Sequence, residues 1–233
     1  MSGTTTFGEY MTACAEVFWV DIDSFSGATV DQLDRTERDR MRTFTHDADM
    51  RRFALGAATV RVAVADRLGI APADVPVNRT CPRCGRPHGR PRLPPGHAVS
   101  VTHSGALIGV ALTCGLAVGL DVEHDLGRPQ NASSMMQAVL HSSEQVPQTW
   151  SQFLRYWTRK ESLVKATGDG LNVDLSTVVT SAPEAAPVLL DYPGRTLRAE
   201  MVDLMPRPGY PAALTILNIL GLSSDPVFTE LQS

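Results

Sequence analysis

Apolar and polar positions along the chain alternate with two periods, one fitting strands and one fitting helices. EVFWVDI, residues 16 to 22, reads as a short strand. Val30 to Phe44 predicts a charged, weakly amphipathic helix. A stronger helix is predicted from Asp47, as N-cap, to Gly69, as C′ glycine, with Phe53, Ala57, Val60, Val64 and Leu68 forming its stripe. The interval from Ala71 to Gly96 is dense in Pro, Gly and Arg and predicts loop. HAVSVTHS, ALIGVALT and LAVGLDVE follow as strands between turn residues. A short helix is then expected from Ala132 to His141 and a long one from Pro147 to Thr167, with Pro147 in its first turn. PVLLDY, TLRAEMVDL and PAALTILN close the chain as strands.

Each half thus runs through a strand or loop, a short helix, a long helix and several strands. No residue-level repeat accompanies this order. The recurrence predicts an α+β fold with two similar subdomains, divided near Thr113 to Leu116 into residues 1–114 and 115–233.

The long second helix breaks its own pattern. Each helical residue advances about 100°, so Trp157 and Val164 fall within about 40° of Phe153, Lys160 at about −20° and Glu161 at about 80°. Two charged side chains therefore occupy inward positions. GLAVGLDVEHD holds a second anomaly: Asp121 and Glu123 share one strand face while Leu120 and Val122 share the other. Carboxylates about 7 Å apart along one face repel unless a cation lies between them. A strand end running into solvent is the plain alternative. Glu161 adds a third carboxylate at an inward position, where burial without a partner costs several kcal/mol. Three carboxylates at a helix–sheet seam are hard oxygen ligands suited to Mg2+, which usually completes its shell with water and substrate phosphates.

Lys165 lies four residues beyond Glu161, either as an ordinary surface pair or as a cation for a phosphoryl oxygen. Lys160 is open to pairing with Glu161 or Asp121 and is given no chemical step. Arg51, Arg52, Arg86, Arg90 and Arg92 stand in or beside the segment before VTHSG, and His103 sits at a strand end followed by glycine. Both a structural histidine and a phosphate donor fit there.

Composition narrows the class. With 233 residues, 43% hydrophobic and 20% charged, the chain can bury one large core or two small ones. A net charge of −4 argues against a general nucleic-acid binder and leaves local Arg/Lys clusters for any anion. No basic, apolar leader and no run of 18 apolar residues is visible, so the expectation is a cytoplasmic protein that neither enters nor spans a membrane. Cys14, Cys81, Cys84 and Cys114 then read as thiols. Cys81 and Cys84 have the spacing of half a zinc site, with His88 and His97 nearby; lacking a second cysteine pair, CPRCGRPHGR reads as a loop with incidental thiols rather than a zinc site.

GLDVE, WTRKESLVKATGDGL and VTHSG together resemble the three signature motifs of Sfp-type 4′-phosphopantetheinyl transferases. GRPRLP is similar to the family's G-K-P-x-x-P segment and RRFALGAATVR to its first long helix, so the resemblance covers about Arg38 to Leu171. It implies a pseudo-dimer, each half a long helix on a small, mainly antiparallel sheet, with the active site at their interface. The implied activity is transfer of the phosphopantetheine arm of coenzyme A to a serine of an apo acyl or peptidyl carrier protein of fatty acid, polyketide or nonribosomal peptide synthesis, releasing 3′,5′-ADP. By position, Asp121, Glu123 and Glu161 would bind Mg2+, with Mn2+ as a substitute. Glu161, or a metal-held water, would take the serine proton. Lys165 would steady the α-phosphate and leaving group, His103 and Arg52 the 3′-phosphate, Arg90 would line the nucleotide cleft, and Thr102 would lie near the diphosphate. The working form is expected to be a monomer.

Three departures stand out. Thr102 replaces a more frequent Ser, Asp169 stands where many relatives have Lys, and Glu37 occupies a position often basic, although Arg40 is retained. The competing readings are a non-catalytic module that binds coenzyme A or a carrier, a small zinc protein built on the Cys81–Cys84 loop, and another Mg2+-dependent phosphotransferase. The last lacks a G-x-x-x-x-G-K-[ST] loop.

Overall fold

The computed structural model describes residues 10–12 and 15–217. Tyr10–Thr12 (β1) and Ala15–Asp21 (β2) lead into the short helices Gly27–Asp31 (α1) and Arg35–Met41 (α2) and the long helix Asp47–Leu68 (α3). Ala98–Ser104 (β3), Leu107–Thr113 (β4) and Ala117–Val122 (β5) follow, then Ala132–Val139 (α4) and Trp150–Thr167 (α5). Val179–Thr180 (β6), Leu189–Asp191 (β7), Ala199–Leu204 (β8) and Ala212–Leu217 (β9) complete the order. The fold is mixed α/β with small antiparallel sheets: β1-β2-β4-β3, β5-β9-β8 and the pair β6-β7.

Alternation along the strands sorts the core into layers. Val17, Trp19, Leu107 and Ala111 of the first sheet meet Val118, Leu120, Leu214 and Ile216 of the second in one apolar cluster. Intervening residues Val99, Val110 and Leu112 pack under Val60 and Val64 of α3 on the other side. Along β5, Gly119 and Asp121 turn towards α5. The glycine is required there, because a Cβ would stand 1.8 Å from the Ser162 carbonyl oxygen. This contact sets α5 directly on the acidic strand.

Several predicted boundaries move. Val30 to Phe44 is two helices, not one: Asp34 caps α2 by accepting from the backbone N–H of Glu37 at 2.7 Å, which starts a new helix. The N-cap of α3 is His46, with Asp47 already in the first turn, whereas Gly69 ends the helix with φ 65° as expected. Pro147 precedes α5, which is started by a Thr149/Gln152 capping box. Strand β9 ends at Leu217, and the last residue of PAALTILN lies outside the described residues. Among the described residues, no helix is long and apolar enough to cross a membrane.

Candidate functional site

The three charges of Arg159-Lys160-Glu161 leave α5 in different directions. Arg159 is buried against Asp203 and the carbonyls of Ser181, Ala182 and Ala185, tying the helix to the C-terminal strands. Lys160 is fully buried and pairs with neither Glu161 nor Asp121. Its ammonium donates to Glu144 at 2.6 Å and to the carbonyls of Val139 and Leu175, a structural clamp. Glu161 is half-buried and turns to the seam with β5. Burial first, and the Asp121 charge second, push its carboxyl above the usual range.

Lys165 reaches across the same seam. Its Nζ donates to Asp121 Oδ1 at 2.6 Å, to Thr102 Oγ1 at 3.2 Å and to the Leu120 carbonyl at 3.1 Å. It pairs with Asp121, not with Glu161 four residues earlier. Thr102 donates to Asp121 Oδ1 at 3.2 Å. Despite both partners, burial holds the Asp121 pKa above its ordinary value. Glu123 is pushed up to about 7, first by burial and then by the Asp121 charge, with Glu161 adding to the rise.

The hydroxyls that hold β3 to β5 follow the strand period. Ser100 accepts from the Leu120 N–H, Thr102 bonds Asp121, and Ser104 donates to Glu123 at 3.1 Å while accepting from the His124 N–H. The opposite face of β3 presents Val101 and His103 to α3. There a cavity of about 380 Å³ is lined by His103, Arg40, Arg52, Arg79, Phe44 and Phe53, among others. The guanidiniums of Arg40 and Arg79 both lie over the Phe53 ring, 4.8 and 5.5 Å from its centre. Arg52 is fixed by the Gly105 carbonyl and Asp49. Burial, then Arg52 and Lys165, hold the His103 pKa below its ordinary value. A net-acidic chain has thus gathered three arginines and a histidine around one cavity.

The five arginines singled out from sequence do not form one cluster. Only Arg52 lines the cavity. Arg51 pairs with Asp47, and Arg92 donates to the Thr80 carbonyl. Arg90 donates to the carbonyls of Lys165, Val99 and Val118, clamping α5 and β5 to β3 beside the cleft. Arg79 went unseen because it sits in a loop without periodicity. A signal was nonetheless present in the acidic departure at Glu37. That carboxylate is 2% exposed and is held between Arg61 and Arg79, so the unexpected acid positions a base. Asp169 is occupied within the fold by the Tyr192 hydroxyl and Arg195.

Whether the acidic seam suits a divalent cation is decided by Asp121. Among the described residues its Oδ2 is buried with no hydrogen-bond partner, although Oδ1 has two. A buried carboxylate oxygen left bare, beside two acids whose pKa values are raised, is a donor set short of a cation. All three candidate ligands are oxygens, as Mg2+ prefers. The donor chemistry of these residues suits the ion.

The sequence comparisons bear on the strand and helix that carry this seam. Residues 117–214, which span β5, α5 and the closing sheet, match the family described as the 4′-phosphopantetheinyl transferase superfamily. The chain is 24% identical over 196 residues to a phosphopantetheinyl transferase of Thraustochytrium sp., covering 76% of this chain and 67% of that protein. It is 27% identical over 161 residues to a 4′-phosphopantetheinyl transferase of Bacillus subtilis, covering 67% and 70%. A second B. subtilis protein, 4′-phosphopantetheinyl transferase ffp, is 24% identical over 184 residues, covering 76% and 79%. Residues 117–214 therefore carry the match to the 4′-phosphopantetheinyl transferase superfamily, and the similarity to proteins named phosphopantetheinyl transferase supports a transferase enzyme.

Proposed function

We propose that the enzyme transfers the 4′-phosphopantetheine arm of coenzyme A to a serine of an apo acyl or peptidyl carrier protein of fatty acid, polyketide or nonribosomal peptide synthesis. The observation that carries this is the seam itself: Lys165 and the half-satisfied Asp121 share one side of β3, and the arginine–histidine cavity lies on the other. A substrate with a diphosphate and a separate phosphate has charge for both.

Asp121, Glu123 and Glu161 would hold Mg2+, or Mn2+ in its place. The bound ion would offset charge on the diphosphate. Lys165 then faces the α-phosphate, where negative charge grows as the bond to the departing 3′,5′-ADP breaks. The carrier serine oxygen forms a new bond to the phosphorus that bears the pantetheine arm, and its proton passes to Glu161, whose carboxyl is held above its ordinary range by burial. His103 and Arg52 take the 3′-phosphate, with Arg40 and Arg79 completing the cavity. Thr102 fixes Lys165 and Asp121 near the diphosphate, and Arg90 holds the wall of the nucleotide cleft.

The proposed division is an N-terminal half, residues 1–114, on the nucleotide side and a C-terminal half, residues 115–233, carrying the acidic motifs. The two form a pseudo-dimer with the site at their interface. Since one chain supplies both sides of the cleft, the proposed working form is a monomer, acting in the cytoplasm, where thiols such as Cys81, Cys84 and Cys114 stay reduced. Incubation with coenzyme A, Mg2+ and a set of apo-carriers, read by intact mass, tests the reading. Carriers whose mass does not change in any combination would refute it.

A further inference from the structure

The loop between α3 and β3 holds a group of side chains that the transfer reaction does not use. Cys81, Cys84 and His88 place one ligand atom each within 4.8 Å of one another. Cys84 Sγ lies 2.9 Å from His88 Nε2. The backbone builds this convergence. Gly85 takes φ 70°, and its N–H donates to the Cys81 carbonyl at 2.9 Å, closing the Cys-Pro-Arg-Cys turn. The Cys81 N–H donates to the Arg86 carbonyl at 2.8 Å, and the Gly89 N–H to the Arg79 carbonyl at 2.7 Å. These bonds fold His88 back over the thiols. Gly89 allows the approach, since a Cβ there would stand 3.0 Å from the Arg79 oxygen and 3.1 Å from the Cys81 Cα. The backbone amides of Arg83 and Cys84 also favour the thiolate of Cys81, lowering its pKa.

We propose that Cys81, Cys84 and His88 bind one Zn2+ ion, with the fourth position of the tetrahedron open to water. Two thiolates and an imidazole are soft-to-borderline ligands that select zinc, whereas the oxygen ligands at Asp121 select Mg2+, so the chain sorts two metals by donor chemistry. Cys84 and His88 are exposed, which leaves the fourth position to solvent. His88, four residues beyond Cys84, supplies a third ligand where a second cysteine pair is lacking.

The ion would staple the loop that shapes the arginine cavity. Arg40 donates to the Pro87 carbonyl at 3.2 Å, and Arg79 accepts the Gly89 N–H on its own carbonyl. Resting on the proposed function, zinc removal is expected to raise the KM for coenzyme A several-fold and leave kcat nearly unchanged.

Metal content tests the site without any reference to transfer. The full chain, purified under reducing conditions and loaded with Zn2+ before desalting, is expected to retain about one equivalent per chain. Cobalt(II) loading is expected to give the sulfur-to-metal charge-transfer absorption of a tetrahedral thiolate site. The variants Cys81→Ser and Cys84→Ser lose both signals, whereas Cys114→Ser, at an exposed thiol in another loop, keeps them. Should either loop variant fail to fold, alkylation of the unaltered chain decides: zinc shields Cys81 and Cys84 while Cys114 reacts. Wild-type protein that retains no zinc, or that alkylates at Cys81 and Cys84 equally with and without zinc, overturns the proposal. Either result leaves the transfer reaction to be judged by its own assay.

Discussion

Lys165 Nζ lies 2.6 Å from Asp121 Oδ1, while Oδ2 of the same carboxylate is buried without a partner among the described residues. One half of the acid is therefore satisfied by the chain, and the other half is available to a ligand. The lysine fixes the carboxylate and presents its charge to the same space. Lys165→Ala is expected to lower kcat by roughly 10²- to 10³-fold, with coenzyme A and with 3′-dephospho-coenzyme A alike. Equal kcat for the variant and the parent would remove the lysine from the reaction. Circular dichroism would establish that the variant is folded.

Glu161 has no such partner among the described residues. Replacing it by Gln keeps the shape, removes one repelling charge and deletes both a metal ligand and a base. Glu161→Gln is expected to reduce transfer by roughly 10²- to 10⁴-fold while the metal-free protein melts at the same or a higher temperature. A variant that transfers normally would mean that this glutamate only fills space.

His103 and Lys165 lie on opposite sides of β3 and should separate binding from chemistry. His103→Ala is expected to weaken coenzyme A binding by roughly 10- to 150-fold, corresponding to a phosphate contact of about 1.5–3 kcal/mol. The loss should be much smaller for 3′-dephospho-coenzyme A. Equal loss with both cofactors would move the histidine from the 3′-phosphate to the diphosphate.

Much of this was legible in the sequence, for a physical reason. Strand period placed Asp121 and Glu123 on one face, helix period turned Glu161 and Lys160 inward, and turn chemistry marked the end of α3 at Gly69. Periodicity speaks only for residues on regular elements, however. Arg79 and the Cys81–His88 cluster sit in a loop, where side chains meet through backbone turns that no period reports. The partner of Lys160 was equally hidden, because Glu144 lies 16 residues away in an irregular connection. The N-cap of α5 was missed for a local reason: Pro147 fits a first turn, but the Thr149/Gln152 box fixes the start three residues later, at Trp150.

The tight contact of α5 on β5 gives a stability prediction. Gly119→Ala would put a methyl group 1.8 Å from the Ser162 carbonyl oxygen and 2.6 Å from the Ala166 nitrogen, both rigid backbone atoms. A loss of about 3 kcal/mol or more is expected, at the upper end of overpacking costs. Urea denaturation of both proteins measures it. An unchanged midpoint would show that the helix does not rest on the strand at this glycine.

Glu123 ties metal affinity to pH. Its folded pKa, raised to about 7, stands above the ordinary 4.5. The metal-free fold therefore holds the carboxyl proton more tightly than the unfolded chain does, and this contribution to stability is lost as pH rises from about 4.5 through 7. Mg2+ competes with that proton, so its affinity should climb across the same interval. Calorimetric titration from pH 5.5 to 8 reads the effect. Affinity independent of pH over that range would take Glu123 out of the ligand set.

The most direct measurement of the central claim follows the intact mass of an apo-carrier incubated with the enzyme, coenzyme A and Mg2+, with and without excess chelator. The account predicts one added phosphopantetheine arm on the carrier serine and release of 3′,5′-ADP. It predicts no addition in chelator or with a folded Asp121→Ala enzyme. Arm transfer that proceeds undiminished in metal-free, chelator-treated enzyme, or with Asp121→Ala, would contradict it.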